Sequence, residues 1–131
     1  MNLDSRTIDT FEEWFRSYTH GFTKSDCDLT RNTLLKAGHT HRVCTEISGI
    51  SADLGLQEAG RLCCHVIALF HDIGRFEQYA RYRTFVDKDS ENHAELGVRI
   101  LTEQRVLSPL DDPLKNVILK AIGYHNRPAI P

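Results

Sequence analysis

Leu62-Cys63-Cys64-His65-Val66-Ile67-Ala68-Leu69-Phe70-His71-Asp72-Ile73-Gly74-Arg75 is the stretch that decides the fold. Its apolar run, densest over Val66–Phe70, suits a helix buried on several sides, the central element of an all-α bundle. An imidazole and a carboxylate then follow on consecutive residues, His71 and Asp72. Gly74 leaves the backbone free to turn straight afterwards, so both side chains can bend from a frayed helix end toward one divalent cation.

Outward from this stretch the pattern stays helical, with no apolar–polar alternation long enough for a sheet. Five helices are expected. The first, about Ile8 to Thr19, carries Phe11, Trp14, Phe15 and Tyr18 at three- and four-residue spacing. The second, about Asp28 to Leu54, places Leu35, His39, Val43, Ile47, Ile50 and Leu54 near one face, and the third runs from about Gln57 to His71. Arg75 to Asp89 reads as a long loop of little periodicity. Ser90 offers an N-cap for a fourth helix reaching about Glu103, and Asp112-Pro113 starts a fifth that closes at His125.

With 131 residues the chain is sized for one domain, residues 1–131, made of an N-terminal helix and a core from about residue 28. Its 16 Lys and Arg are mixed with 18 Asp and Glu along the whole length, so no basic stripe marks it for polymeric nucleic acid. No segment approaches the ~20 apolar residues that span a bilayer, and the start Met1-Asn2-Leu3-Asp4-Ser5 lacks a signal-peptide layout. A cytoplasmic protein is expected. Cys27, Cys44, Cys63 and Cys64 form no C-x-x-C pair and read as reduced thiols, with Cys63 and Cys64 acting as small core hydrophobes.

Five residues stand out by placement: His39 on an apolar helix face, His71 and Asp72 at a helix end, His93 in a first helical turn, and His125 at a last. Singly, each has a bland alternative as a core histidine or a cap. Together they let four helices converge on one polar pocket, and a carboxylate among helices is costly to bury without a cation or another partner. Imidazole and carboxylate suit Mn, Fe, Co, Ni or Zn.

Four ordered blocks carry a family resemblance: Gly38-His39-Thr40-His41-Arg42-Val43, Leu69 through Gln78, Asn92-His93-Ala94-Glu95-Leu96-Gly97, and Tyr124-His125-Asn126. Over about Leu34 to Pro131 the chain resembles the HD-domain superfamily of metal-dependent phosphohydrolases. The resemblance implies an all-α, HD-like bundle around a divalent metal ion, with Mg added to the cations above. His39 rather than His41 is then the first metal ligand and His71 with Asp72 the paired ligands. His93 and His125 match extra histidines that hold a second metal, with Asp72 bridging, or face the substrate phosphate. The family's final aspartate has no counterpart, since no Asp follows Asp112 and the chain stops at Pro131. A truncated chain or a short natural form lacking one ligand is expected from that, and a homodimer that covers the faces a further helix would bury.

The expected chemistry is hydrolysis of a phosphoester, of a nucleotide or another small phosphorylated metabolite, with no membrane partner. His93 or His125 would serve as general acid. Arg75 by family position, and Arg42 and Lys36 one turn either side of His39, are the candidates to neutralise phosphate. Tyr79, Tyr82 and Phe85 are candidate stacking groups for a base. A well-behaved monomer or robust turnover by residues 1–131 alone would imply that another residue, Asp87 or Asp89 from the long loop, replaces the missing ligand. Competing classes are a non-catalytic metal- or nucleotide-binding regulatory module, an HD-type di-iron oxygenase and a plain helical interaction protein.

Overall fold

The computed structural model describes residues 3–127. Among them the chain is all-α, with α1 (Ser5–His20), α2 (Cys27–Asp53), α3 (Glu58–Phe70), α4 (Gly74–Tyr82), α5 (His93–Glu103), α6 (Asp112–Tyr124) and a short 3-10 turn at Asp87–Asp89. The first N–H groups of a helix have no partner within it. Asp4 supplies one for α1, accepting from the Thr7 N–H at 2.9 Å. α1 then turns Ile8, Phe11, Phe15 and Thr19 inward, and Phe11 meets Phe70 edge-on with ring centroids 5.6 Å apart.

α3 lies at the centre, packed against α1, α2 and α6, with Val66 and Phe70 wholly buried. That is the position its apolar run called for. Cys44 is buried, Cys63 and Cys64 are half-buried, and all four cysteines are free thiols. No described helix is long and apolar enough to cross a membrane.

Several expectations are corrected. α2 buries only part of the stripe from Leu35 to Leu54: Val43 and Ile47 pack against the core, half-buried, while its fully buried residues are Leu29, Thr33, Thr40, Cys44 and Ser51. Those positions alternate four- and seven-residue spacings, a coiled-coil-like seam of mostly small side chains on a helix that packs against α3 and α4. Leu34, Leu35, Ile50 and Leu54 are left exposed, and His39 falls at the rim of the seam rather than inside it.

The long loop expected from Arg75 is a helix over its first half. α4 buries Phe76 and Gln78, and its outer side carries a Glu77–Arg81 pair four residues apart at 3.1 Å. Polar residues on its inner side masked the period. So did its stop: Arg83 ends the helix with φ 55°, a left-handed conformation usually given to glycine. Arg83 is held there by Asp26, with its two terminal nitrogens 2.8 and 2.7 Å from the carboxylate oxygens.

Gly74 also has a different task from the one its neighbours suggest. It opens α4 in ordinary helical geometry, not in a turn that needs glycine. A Cβ there would lie 2.1 Å from the His93 carbonyl oxygen and 2.8 Å from the Gly97 nitrogen. α4 and α5 therefore cross backbone to backbone at Gly74 and Gly97, a contact that only absent side chains permit. α5 itself is capped by Asn92, whose Oδ1 accepts from the N–H groups of Ala94 and Glu95, not by Ser90. Asp111 caps α6, one residue earlier than expected, through the Leu114 N–H at 3.0 Å.

Candidate metal centre

Asp72 lies in the tight turn between α3 and α4, and only 6% of its surface is exposed. Four imidazoles face it. His39 comes from the middle of α2, His71 from the same turn, His93 from the first position of α5 and His125 from the end of α6. Oδ2 of Asp72 is 3.5 Å from Nε2 of His39 and 3.4 Å from Nε2 of His71. Oδ1 is 3.3 Å from Nε2 of His93 and 3.6 Å from Nε2 of His125. The carboxylate thus divides the group into two sets of three donors, His39–His71–Asp72 and Asp72–His93–His125, whose ligating atoms lie within 4.8 Å of one another in each set.

The protons on these rings follow from what their other nitrogens touch. Nδ1–H of His71 donates to the Ala68 carbonyl at 2.7 Å. Nδ1–H of His125 donates to the Ile122 carbonyl at 2.6 Å, and Nδ1–H of His93 donates to the Asp87 carboxylate at 3.0 Å. With its proton on Nδ1, each neutral ring presents a lone pair at Nε2. Those lone pairs converge on a carboxylate, which is itself only an acceptor, and Nε2 of His93 and His125 are 3.0 Å apart. Acceptors crowded against acceptors require shared positive charge, as protons or as a cation. The donor set therefore fits a divalent metal ion.

Electrostatics point the same way. Burial alone would raise the Asp72 carboxyl, but the imidazoles of His125, His71 and His93 crowded against it outweigh burial and hold the group far below the usual carboxylate range. Burial lowers His71, yet its contacts with Asp72 and the Ala68 carbonyl leave it above the ordinary imidazole value.

The structure also sorts the remaining candidates. Nη1 of Arg75 is already taken, donating to the Phe85 carbonyl at 2.6 Å, to Gln78 Oε1 at 3.0 Å and to Asp87 Oδ1 at 3.1 Å. Among the described residues its buried Nε has no hydrogen-bond partner, and it sits 3.9 Å from Asp72 Oδ1. Lys36 is half-buried, with Nζ 4.8 Å above the Phe85 ring. Desolvation lowers it, against the pull of the Asp72 charge. Arg42 is exposed, and the ion pairs described for Asp72 do not include it.

His41 and His65 lie elsewhere: the His41 ring is 6.0 Å from Phe15, and His65 pairs with Glu12 at 2.9 Å. The aromatics expected to stack on a base are engaged with protein. Tyr79 packs on Phe85 at 4.7 Å and donates to Asp28, while Tyr82 donates to Glu91. Asp87 bonds the nitrogen of His93 that faces away from Asp72, and among the described residues neither Asp87 nor Asp89 joins the two donor sets. Gln78 and Asn126, which also bond Asp87, were not singled out by sequence reasoning. Asn126 stands beside a candidate ligand, and that adjacency was the available signal.

Comparison with curated proteins and with solved structures finds no match. The HD domain family model, by contrast, matches residues 37–131, a span that holds all five residues of the cluster. With well over half of its length matched, and on an all-α frame that gathers the motif histidines around Asp72, the chain belongs to the HD domain family.

Proposed function

We propose that this chain is a metal-dependent phosphohydrolase acting on a small phosphorylated metabolite. The observation that carries the reading is the buried Asp72 carboxylate faced by four imidazole nitrogens, three of them with their protons fixed on the far side. His39, His71 and Asp72 hold the first cation, and Asp72 with His93 and His125 offers a place for a second. An imidazole-rich set favours Mn, Fe, Co, Ni or Zn over Mg, which prefers oxygen ligands. Bound there, such an ion supplies an acidified water and polarises a phosphoryl oxygen.

The chain's own groups do the rest. Lys36 and the Arg75 guanidinium lie beside the cluster, Lys36 free to meet the phosphate and the buried Arg75 charge offsetting negative charge through Asp72. The His125 side chain is 23% exposed against 4% for His93, so His125 is the imidazole that substrate reaches. With one cation bound and its Nε2 also protonated, His125 gives that proton to the leaving oxygen as the phosphorus–oxygen bond breaks, while water forms the new bond to phosphorus and releases a proton to solvent. Tyr79, Tyr82 and Phe85, occupied with protein, supply no platform dedicated to a nucleobase.

The test is metal content after purification, followed by hydrolysis of a panel of phosphomonoesters and nucleotides with each cation added. Turnover that is lost in Asp72→Ala together with bound metal supports the reading. Tight metal uptake without turnover favours a regulatory binding module, and an iron-dependent colour or redox signal favours an oxygenase.

A further inference from the structure

One carboxylate outside the cluster ties together everything that surrounds it. Asp87 lies on the 3-10 turn between α4 and α5. Its Oδ1 accepts from Arg75 Nη1 at 3.1 Å, Gln78 Nε2 at 2.9 Å and His93 Nδ1 at 3.1 Å. Its Oδ2 accepts from His93 Nδ1 at 3.0 Å and Asn126 Nδ2 at 3.1 Å. Four donors from the start of α4, the start of α5 and the residue after His125 thus meet on a single side chain. Asn126 also donates to Asn92 Oδ1 at 3.2 Å, the same oxygen that caps α5.

His93 differs from its neighbours in this respect. The Nδ1–H groups of His71 and His125 rest on carbonyls three residues back in their own helices, and helix geometry orients those rings. His93 stands at the first position of α5, with no preceding turn of its own helix to lean on. Its ring direction and its proton position depend on Asp87, which arrives from a separate loop. A carboxylate at Nδ1 also makes Nε2 a better electron donor than a carbonyl does.

We propose that Asp87 is the positioning residue of this site: it holds the proton of His93 on Nδ1, aims Nε2 at Asp72, and pins the ends of α4, α5 and α6 around that ring. The inference rests on the metal-binding reading above. Gln78, buried and donating to Asp87 and Ser90, and Nη1 of Arg75 brace the carboxylate from behind. Arg75 is thereby linked to the cluster on both sides, through Asp87 and by its Nε approach to Asp72.

The test compares wild type, Asp87→Asn and Asp87→Ala in the full chain, with Asp26→Asn as a control that disturbs the Arg83 anchor of the same loop without touching His93. Zinc affinity is measured by chelator competition. The nitrogen of His93 that carries the proton is read from imidazole ¹⁵N shifts, with and without zinc. Asp87→Ala is expected to weaken zinc binding about 10- to 100-fold and to release His93 into a mixture of tautomers. Asp87→Asn, which keeps the shape and one acceptor, should lose less and retain the Nδ1–H form, and Asp26→Asn should match wild type. If Asp87→Ala does not fold, Asp87→Asn decides by its reduced affinity. Zinc affinity unchanged in both variants, or a His93 proton that stays on Nδ1 in Asp87→Ala, overturns the proposal. Wild type that takes up no metal would count against the phosphohydrolase reading, and the ¹⁵N shifts of the metal-free proteins would still decide the part played by Asp87.

Discussion

Gly74→Ala puts the backbone crossing of α4 and α5 to a quantitative test. The added methyl would stand 2.1 Å from the His93 carbonyl oxygen and 2.8 Å from the Gly97 nitrogen. Ordinary separations between such atoms are about 3.5 Å. Both neighbours are main chain and cannot rotate away, so the helices must part by roughly 1 Å. Overpacking of that kind costs about 1–3 kcal/mol, and here the upper part of the range applies. Replacing a helical glycine by alanine returns about 1 kcal/mol. The net expectation is a loss of about 2 kcal/mol, or roughly 6–8 °C in Tm for a domain of this size. The same displacement opens the 3.3 Å approach of His93 to Asp72, so zinc affinity should fall about tenfold or more. Gly49→Ala is the control: Gly49 lies within a helix too, here α2, and nothing is within 4 Å of its added Cβ, so stability should rise by up to about 1 kcal/mol. Urea denaturation of the two variants checks both. Gly74→Ala as stable as wild type, or more stable, would refute the close crossing.

Three further outcomes follow from the geometry. His39→Ala should sharply reduce metal content, whereas His41→Ala, whose ring lies against Phe15, should leave it intact; equal damage from both, by elemental analysis, would mean that the register of α2 is wrong. Burial pushes the Cys44 thiol up to about 11, so alkylation of the folded protein at about pH 8 should mark exposed Cys27 first and Cys44 last, and mass spectrometry showing equal rates would contradict the burial. Hydrogen bonds from Arg83 and the Leu29 N–H hold Asp26 below its ordinary 3.8, so the folded chain favours the carboxylate. Its stabilisation is full above that value and is lost as pH falls toward the lower folded one; the Tm gap between wild type and Asp26→Asn should hold at neutral pH and close below about pH 4, and a gap that widens in acid would reverse the sign.

The five residues of the cluster were legible because each lay where a helix pattern began, ended or faced inward, and the resemblance tied them into one order. Their partners were not. Asp87 reaches His93 across a loop, and nothing in the spacing of the two residues fixes which nitrogen it meets. α4 was hidden because Gln78, a polar residue, is wholly buried, and because Arg83 ends the helix where glycine is the customary signal. The burial of α2 was misjudged for a related reason: leucines at 34, 35 and 54 are exposed while Thr33 and Thr40 face inward. Apolar periodicity reports the inner face only where the neighbouring helix leaves room for large side chains. Gly74 was read as a turn residue, and its contact with α5 exists only once the two helices are in place.

The candidate ligands that meet at Asp72 sit on four separate stretches of chain, which the unfolded polypeptide does not bring together. A cation held by them belongs to the folded state alone, so its concentration acts on the folding equilibrium by mass action. At a hundred times its dissociation constant it adds about 2.7 kcal/mol, roughly 8–10 °C in Tm at this chain length. A melting series across Mn, Fe, Co, Ni, Zn and Mg therefore ranks the cations in order of affinity without any substrate in hand, and the same series with chelator shows how much of the protein's resistance to heat is lent by the ion.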